Sequence, residues 1–355
     1  MLARIWADIL GIESLQYGAT QINIHDNFFD IGGHSLFAAR LIEQVRKVFQ
    51  IELPLRRLFE FPTIAELAKC IETESQAQML PHHAEAKHWS FLVPIQPNGG
   101  KIPFFLVPGG GGSEGEFMVY AKLVYLLGHE QPVYGLQAHG LDGEQVPHTQ
   151  VETMATEYLK EIRAFQPKGP YLLGGECIGG LVAFEMAQQL QAQGHQVGLL
   201  LLLDTVYLSG NDYVTYLVYR ILKIRQIRQN WKTLLELEPH ERLPYLFDKA
   251  KQAMWRLIAK FHLNSVPSDH RIQQVKINYQ KTLRRYRPKP YPGRMVLLAT
   301  EANYEKNSTL GWETLAVGGL EIYKLPGDHS SYLGEQVQTT AKQLKACLEE
   351  AQAEA

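Results

Sequence analysis

The sequence predicts an α/β chain in two units: a small all-helical one over residues 1–75 and a larger one over 99–355 with a mostly parallel sheet. Three observations predict this. Apolar residues recur at helical spacing through the first unit. After Pro103, apolar strand-like runs alternate with helical stretches, the order that gives a parallel sheet covered on both faces. The run Tyr171-Leu172-Leu173-Gly174 ends in Gly175-Glu176-Cys177-Ile178-Gly179, and a helical pattern starts at once.

Length and composition set the bounds. At 355 residues the chain is long for one domain, and 45% hydrophobic residues allow a sizeable core. A formal charge of −2 gives no case for nucleic acid, and none for a membrane surface. Cys70, Cys177 and Cys347 lie far apart with no C-x-x-C pair, so neither a disulfide framework nor a zinc site is indicated. The N-terminus lacks a basic segment followed by a long apolar core, and no run reaches the roughly 18 apolar residues that span a bilayer. The expectation is a soluble, cytoplasmic protein.

Each element can be justified in order. Leu2, Ile5, Trp6, Ile9 and Leu10 lie on one helical face, and Leu36, Ala39, Leu41, Ile42, Val45 and Phe49 form another. Pro62-Thr63-Ile64 opens a third helix with Thr63 as its cap. Ser35 stands just before the second helix, where an isolated serine would serve as an N-cap. Residues 76–98 lose periodicity and read as a linker passing into the next domain. Its His82, His83 and His88 lack acidic or thiol partners at ligand spacing and read as solvated.

The string around Ser35 says more than capping. Asp26-Asn27-Phe28-Phe29-Asp30-Ile31-Gly32-Gly33-His34-Ser35-Leu36 closely resembles the attachment site of peptidyl carrier proteins in nonribosomal peptide synthetases. The resemblance extends to Leu58-Phe59-Glu60-Phe61-Pro62-Thr63-Ile64 and covers the whole first unit. It implies a four-helix carrier domain in which Ser35 bears a covalent 4′-phosphopantetheine arm, added by a separate phosphopantetheinyl transferase.

In the larger unit the predicted strands are Pro103–Val107, Pro132–Ala138, Pro170–Gly174, Val197–Leu203, Arg294–Ala299 and Leu320–Leu325. The predicted helices are Glu114–Leu127, Val151–Phe165, Ile178–Gln193 and Gln336–Ala351. In a sheet of this kind ligands sit beyond the carboxyl ends of the strands. G-x-C-x-G at such an end is the pattern of a nucleophile elbow: Gly175 and Gly179 permit the sharp turn that raises Cys177 at a helix N-terminus. There the Ile178 N–H faces a developing oxyanion. The alternative is a glycine-rich strand end with a buried, inert cysteine.

A thiol nucleophile needs a base, and the base needs an orienting acid. The α/β-hydrolase fold orders them nucleophile, acid, histidine. Asp204 ends the apolar run Val197–Leu203, and His329 follows the run Leu320–Leu325. Taken singly, Asp204 could be a turn cap and His329 a solvated loop side chain. Val107-Pro108-Gly109-Gly110-Gly111-Gly112-Ser113 lies between a strand and a helix, as the second oxyanion loop does. Its Gly109 N–H is the expected partner of Ile178, with Gly110 as the fallback. No G-K-[ST] follows, which argues against a nucleotide loop.

On these pieces, with Val133-Tyr134-Gly135-Leu136-Gln137-Ala138 and Leu325-Pro326-Gly327-Asp328-His329, the second unit resembles a type I thioesterase domain of a nonribosomal peptide synthetase. The departure is Cys177, where most members carry serine. The resemblance implies an α/β-hydrolase thioesterase domain with a helical lid at about 205–292, basic and amphipathic in sequence. It covers the acyl site in this reading; a membrane-surface helix is the competing one. The implied activity is release of a peptidyl or acyl chain through a Cys177 acyl-enzyme, by hydrolysis or by cyclisation to a lactone or lactam. Upstream condensation and adenylation domains are the implied partners. Two alternatives stay open: a proofreading hydrolase of mis-primed carriers, and a non-catalytic carrier-docking module.

Overall fold

The computed structural model describes residues 1–12, 22–33, 35–51, 53, 57–79, 91–141, 146–207 and 268–354. The first unit contains α1 (Leu2–Leu10), α2 (Ser35–Phe49), α3 (Arg57–Glu60) and α4 (Ile64–Met79). Its core forms around Trp6 and Phe28, both fully buried and edge-to-face at 5.1 Å. The first phenylalanine of the D-N-F-F string is therefore a core residue. Thr63 caps α4 as expected: Glu66 N–H donates to Thr63 Oγ1 at 3.2 Å, and Thr63 N–H donates to Glu66 Oε2 at 3.3 Å. This reciprocal pair satisfies two amides that the first turn would otherwise leave without partners.

The second unit is a seven-stranded sheet with helices on both faces. Its elements are β1 (Leu92–Gln96), β2 (Phe104–Val107), α5 (Glu114–Leu127), β3 (Val133–Leu136), α6 (Val151–Phe165), β4 (Tyr171–Glu176), α7 (Gly180–Ala192) and β5 (Val197–Leu203). They continue with α8 (Ser268–Arg285), β6 (Met295–Thr300), α9 (Glu301–Tyr304), β7 (Leu320–Leu325) and α10 (Val337–Ala353). The strand order is β1-β3-β2-β4-β5-β6-β7, with only β1 antiparallel.

Alternation along each strand feeds two cores. Phe104, Leu106, Leu172, Leu201 and Leu203 pack toward α5 and α10, while Phe105, Leu173, Leu200 and Leu202 pack toward α6 and α7. Burial on both faces explains why these strands read as unbroken apolar runs.

Two features differ from the sequence reading. The described residues of the segment read as a linker belong largely to regular elements, since α4 continues to Met79 and β1 occupies Leu92–Gln96. The expected lid falls mostly on residues 208–267, outside the described residues, as do His82, His83 and His88; its last stretch is α8. Among the described residues no helix is long and apolar enough to cross a membrane.

The chain order also fixes where the site lies. From β2 the chain crosses to β3 on one side and then to β4 on the other, so the loops after β2 and β4 diverge and leave a crevice at their carboxyl ends. Val107 pairs with Gly175 at that rim, which sets the glycine loop beside the cysteine turn.

Candidate active site

The turn after β4 is a short 3₁₀ segment, Cys177–Gly179, leading directly into α7. Cys177 has φ +51°, a left-handed conformation that costs a side-chain-bearing residue energy and persists only where its surroundings hold it. The flanking glycines are required by close backbone approach. A Cβ on Gly175 would lie 2.4 Å from Gly180 Cα, and one on Gly179 would lie 2.5 Å from Pro108 O. Cys177 is half-buried, with Ile178 next to it in the turn. Cys70 and Cys347, by contrast, are buried within α4 and α10.

Asp204 follows β5 directly, with φ +45°. It is 1% exposed, so its charge needs partners, and it has four donors. Thr300 donates its N–H and its hydroxyl to Oδ1, each at 2.9 Å, and Asn303 Nδ2 donates to Oδ2 at 2.8 Å. His329 Nδ1 completes the set at 2.7 Å from Oδ2. Burial pushes the Asp204 carboxyl up, but His329 and Thr300 together outweigh it and hold the acid below the usual carboxylate range.

His329 lies in the loop after β7. Hydrogen bonds to Asp204 and then to Cys177 raise its imidazole to about 10, against the opposing effect of burial. Atoms of Cys177, His329 and Glu176 lie within 4.8 Å of one another. The structure thus brings Cys177, Asp204 and His329 into one hydrogen-bonded set, reached from the ends of β4, β5 and β7. Such a set can take a proton from a thiol and hold the resulting imidazolium in one orientation.

The glycine loop is more occupied than the sequence suggests. Gly109 N–H, the expected second oxyanion donor, donates to Glu176 Oε2 at 3.1 Å. The fallback, Gly110 N–H, donates to Glu116 Oε1, and Gly112 N–H donates to Glu116 Oε2 at 3.0 Å. Both backbone groups reach the crevice with a carboxylate on them. Above the loop, Tyr279 of α8 donates its hydroxyl to Pro108 O at 3.1 Å, tying the last helix before β6 to the site.

Sequence reasoning missed Glu176, Tyr120, Tyr332, Thr300 and Asn303. Glu176 carried a signal: it is the one acidic residue of its strand and closes it. Thr300 and Asn303 carried none, because they reach Asp204 only through the parallel pairing of β5 with β6.

In the first unit Ser35 opens α2, a fifteen-residue helix. The preceding Gly32 has φ +99° and open space around it, while a Cβ on Gly33 would strike the Phe28 ring at 2.3 Å. The second glycine of the pair is thus a packing requirement, and the first is favoured by its left-handed backbone.

Comparisons with known proteins agree with this architecture. Residues 2–71 match the phosphopantetheine attachment site family and residues 102–348 the thioesterase domain family. A dimodular nonribosomal peptide synthase of Bacillus subtilis (strain 168) is 42% identical over 185 residues, which is 52% of this chain and 7% of that protein. Malpibaldin synthetase of Mortierella alpina is 40% identical over 204 residues, 58% of this chain and 3% of that protein. The chain therefore spans under a tenth of the length of these relatives. A crystal structure of holo-AB3403, a four-domain nonribosomal peptide synthetase bound to AMP and glycine, superposes with a TM-score of 0.55 at 26% identity, covering 96% of this chain and 25% of that one. By its fold, and by a family match that spans more than half its length, this chain belongs to the thioesterase domain family and carries a phosphopantetheine attachment domain ahead of it.

Proposed function

We propose that Cys177 accepts a peptidyl or acyl chain from a carrier-bound thioester, and that the chain then leaves to water or to a nucleophile within itself. The observation that carries this reading is the strained Cys177 at the end of β4, in the same set as an imidazole whose other nitrogen lies 2.7 Å from a buried Asp204. His329 Nε2 takes the thiol proton first, and the resulting Cys177 thiolate attacks the acyl carbon. The tetrahedral centre collapses with cleavage of the original C–S bond, and His329 returns the proton to the departing thiolate. In the second half His329 takes a proton from the releasing nucleophile, and Cys177 leaves as thiolate. The Ile178 N–H stabilises the oxyanion in both halves.

Cysteine changes the energetics of this sequence. Loading exchanges one thioester for another, so the acyl-enzyme keeps most of its activation, whereas a serine ester would be more stable. A weak internal hydroxyl or amine can then complete release. Cys177→Ser should leave loading possible and shift the products toward hydrolysis.

The attachment-site family implies a 4′-phosphopantetheine group on Ser35. The residues present fit it: Ser35 opens α2, where the helix N-terminus suits a phosphodiester. The group supplies the thiol on which the acyl chain is carried. A phosphopantetheinyl transferase is the partner that this requires, and condensation and adenylation domains upstream would supply the chain.

The test is intact-mass measurement after exposure to an acyl thioester of N-acetylcysteamine. One acyl adduct should form and map to Cys177, and Cys177→Ala should abolish it. An adduct that persists in Cys177→Ala defeats the proposal.

A further inference from the structure

Glu176 occupies the first variable position of G-x-C-x-G, and the release chemistry above does not use it. It closes β4 and is 8% exposed. Oε2 accepts the Gly109 N–H and the Tyr120 hydroxyl, each at 3.1 Å. Oε1 accepts the Tyr332 hydroxyl at 2.5 Å and lies 3.9 Å from His329 Nε2. Two of these four partners belong to the chemistry: the amide expected to face an oxyanion, and the ring nitrogen that exchanges a proton with Cys177. The groups are in direct contact, since a Cβ on Gly109 would lie 2.5 Å from Glu176 Oε2 and 2.7 Å from Cys177 Cβ.

We propose that Glu176 is a positioning residue that holds His329 as the imidazolium beside a Cys177 thiolate, and that it caps the Gly109 N–H until a developing oxyanion displaces it. The proposal rests on the reading of Cys177 as nucleophile. Its first half follows from the charges facing the ring. Asp204 lies on the Nδ1 side, Glu176 and Cys177 on the Nε2 side, and the Tyr332 ring is packed at 5.6 Å. An imidazole between two carboxylates favours its charged form. Around Glu176 the facing groups are the Tyr120 and Tyr332 hydroxyls, with Glu116 and Tyr279 farther out. Burial, followed by the Glu176 charge itself, holds the Tyr120 and Tyr332 phenols well above their ordinary range, so both remain donors to it.

The second half follows from counting bonds. When the oxyanion forms, the Gly109 N–H can turn to it while the carboxylate keeps two hydroxyl donors. The arrangement also suits the nucleophile. A cysteine reacts as thiolate beside imidazolium, whereas a serine hydroxyl needs a neutral imidazole to take its proton. Glu176 should therefore help Cys177 and hinder a serine in the same place.

The experiment measures iodoacetamide alkylation of Cys177 against pH in the full chain and in Glu176→Gln, by peptide mass. The inflection at which His329 loses its proton should move down by about one pH unit or more in Glu176→Gln, as removal of a neighbouring charge requires. Tyr332→Phe takes one donor from the carboxylate and should move the inflection the other way, which keeps the test open if Glu176→Gln does not fold. In a Cys177→Ser background, hydrolysis of the N-acetylcysteamine thioester should become about tenfold faster on adding Glu176→Gln, a change of about 1.4 kcal/mol in barrier. An unmoved inflection, or equal slowing in the Cys and Ser backgrounds, overturns the proposal and assigns Glu176 a purely structural role. Failure of iodoacetamide to modify Cys177 at all would instead remove the reading of the nucleophile on which it rests.

Discussion

Replacing Asp204 by asparagine keeps the volume and removes the charge. In the parent, Oδ1 accepts both Thr300 donors, and Oδ2 accepts Asn303 Nδ2 and His329 Nδ1. The side-chain oxygen of Asn would keep the Thr300 pair, which leaves its NH₂ facing two groups that were donors. The Asn303 bond is then lost. His329 must turn its Nδ1 into an acceptor, so its proton moves to Nε2 and the ring can no longer take one from Cys177. A comparable tautomer error in a catalytic triad lowers the rate about 10⁴-fold, or about 5.4 kcal/mol in barrier. Loss of a hydrogen bond to a buried charge removes about 1.5–3 kcal/mol of stability as well.

The pH dependence of unfolding gives an independent readout. The Asp204 pKa is depressed in the folded chain, so its contribution is present above the ordinary carboxylate range and lost as pH falls through the folded value. The His329 pKa is raised to about 10, so its contribution is complete below the ordinary histidine range and lost as pH rises through about 10. Both slopes should shrink in Asp204→Asn. Burst-phase acylation by the N-acetylcysteamine thioester measures the rate, and urea unfolding between acid and alkaline pH measures the rest. A folded Asp204→Asn that acylates within about tenfold of the parent, less than 1.4 kcal/mol, would refute the role given to Asp204.

Other outcomes follow from the same geometry. Ser35→Ala should leave the circular dichroism spectrum unchanged and abolish the mass gain on treatment with a phosphopantetheinyl transferase and coenzyme A. Gly179→Ala would place a Cβ 2.5 Å from Pro108 O and 2.6 Å from Val107 O, so it should cost about 1–3 kcal/mol in urea unfolding and slow acylation by moving Cys177. Thr63→Ala removes one side of the α4 capping pair and should cost about 1 kcal/mol without changing acylation of Cys177.

The parts of the fold legible in the sequence were those with one strong period. The central parallel strands are buried on both faces and announce themselves as apolar runs, and the cysteine turn is fixed by glycines whose Cβ atoms would strike backbone. β1 was not legible. It is an antiparallel edge strand containing Pro94, with an irregular register between Pro94 and Gln96, and proline is tolerated only in such places. The α7 start was shifted because Cys177–Gly179 forms a tighter turn before the helix proper. Cys177, Asp204 and His329 could be nominated from their positions after strands. The occupation of Gly109 by Glu176 could not, since it depends on the pairing of β2 with β4 at the rim.

Asp204 takes its aim from Thr300 at the end of β6 and Asn303 on α9, and its own amide is tied to Leu298 O in that same strand. The orienting acid is thus clamped from a neighbouring strand. Moving the acid to another scaffold would therefore mean carrying β6 and α9 with it, as a lock travels with its frame. Recombination that parts Asp204 from Thr300 or Asn303 should leave a folded sheet with an unaimed acid.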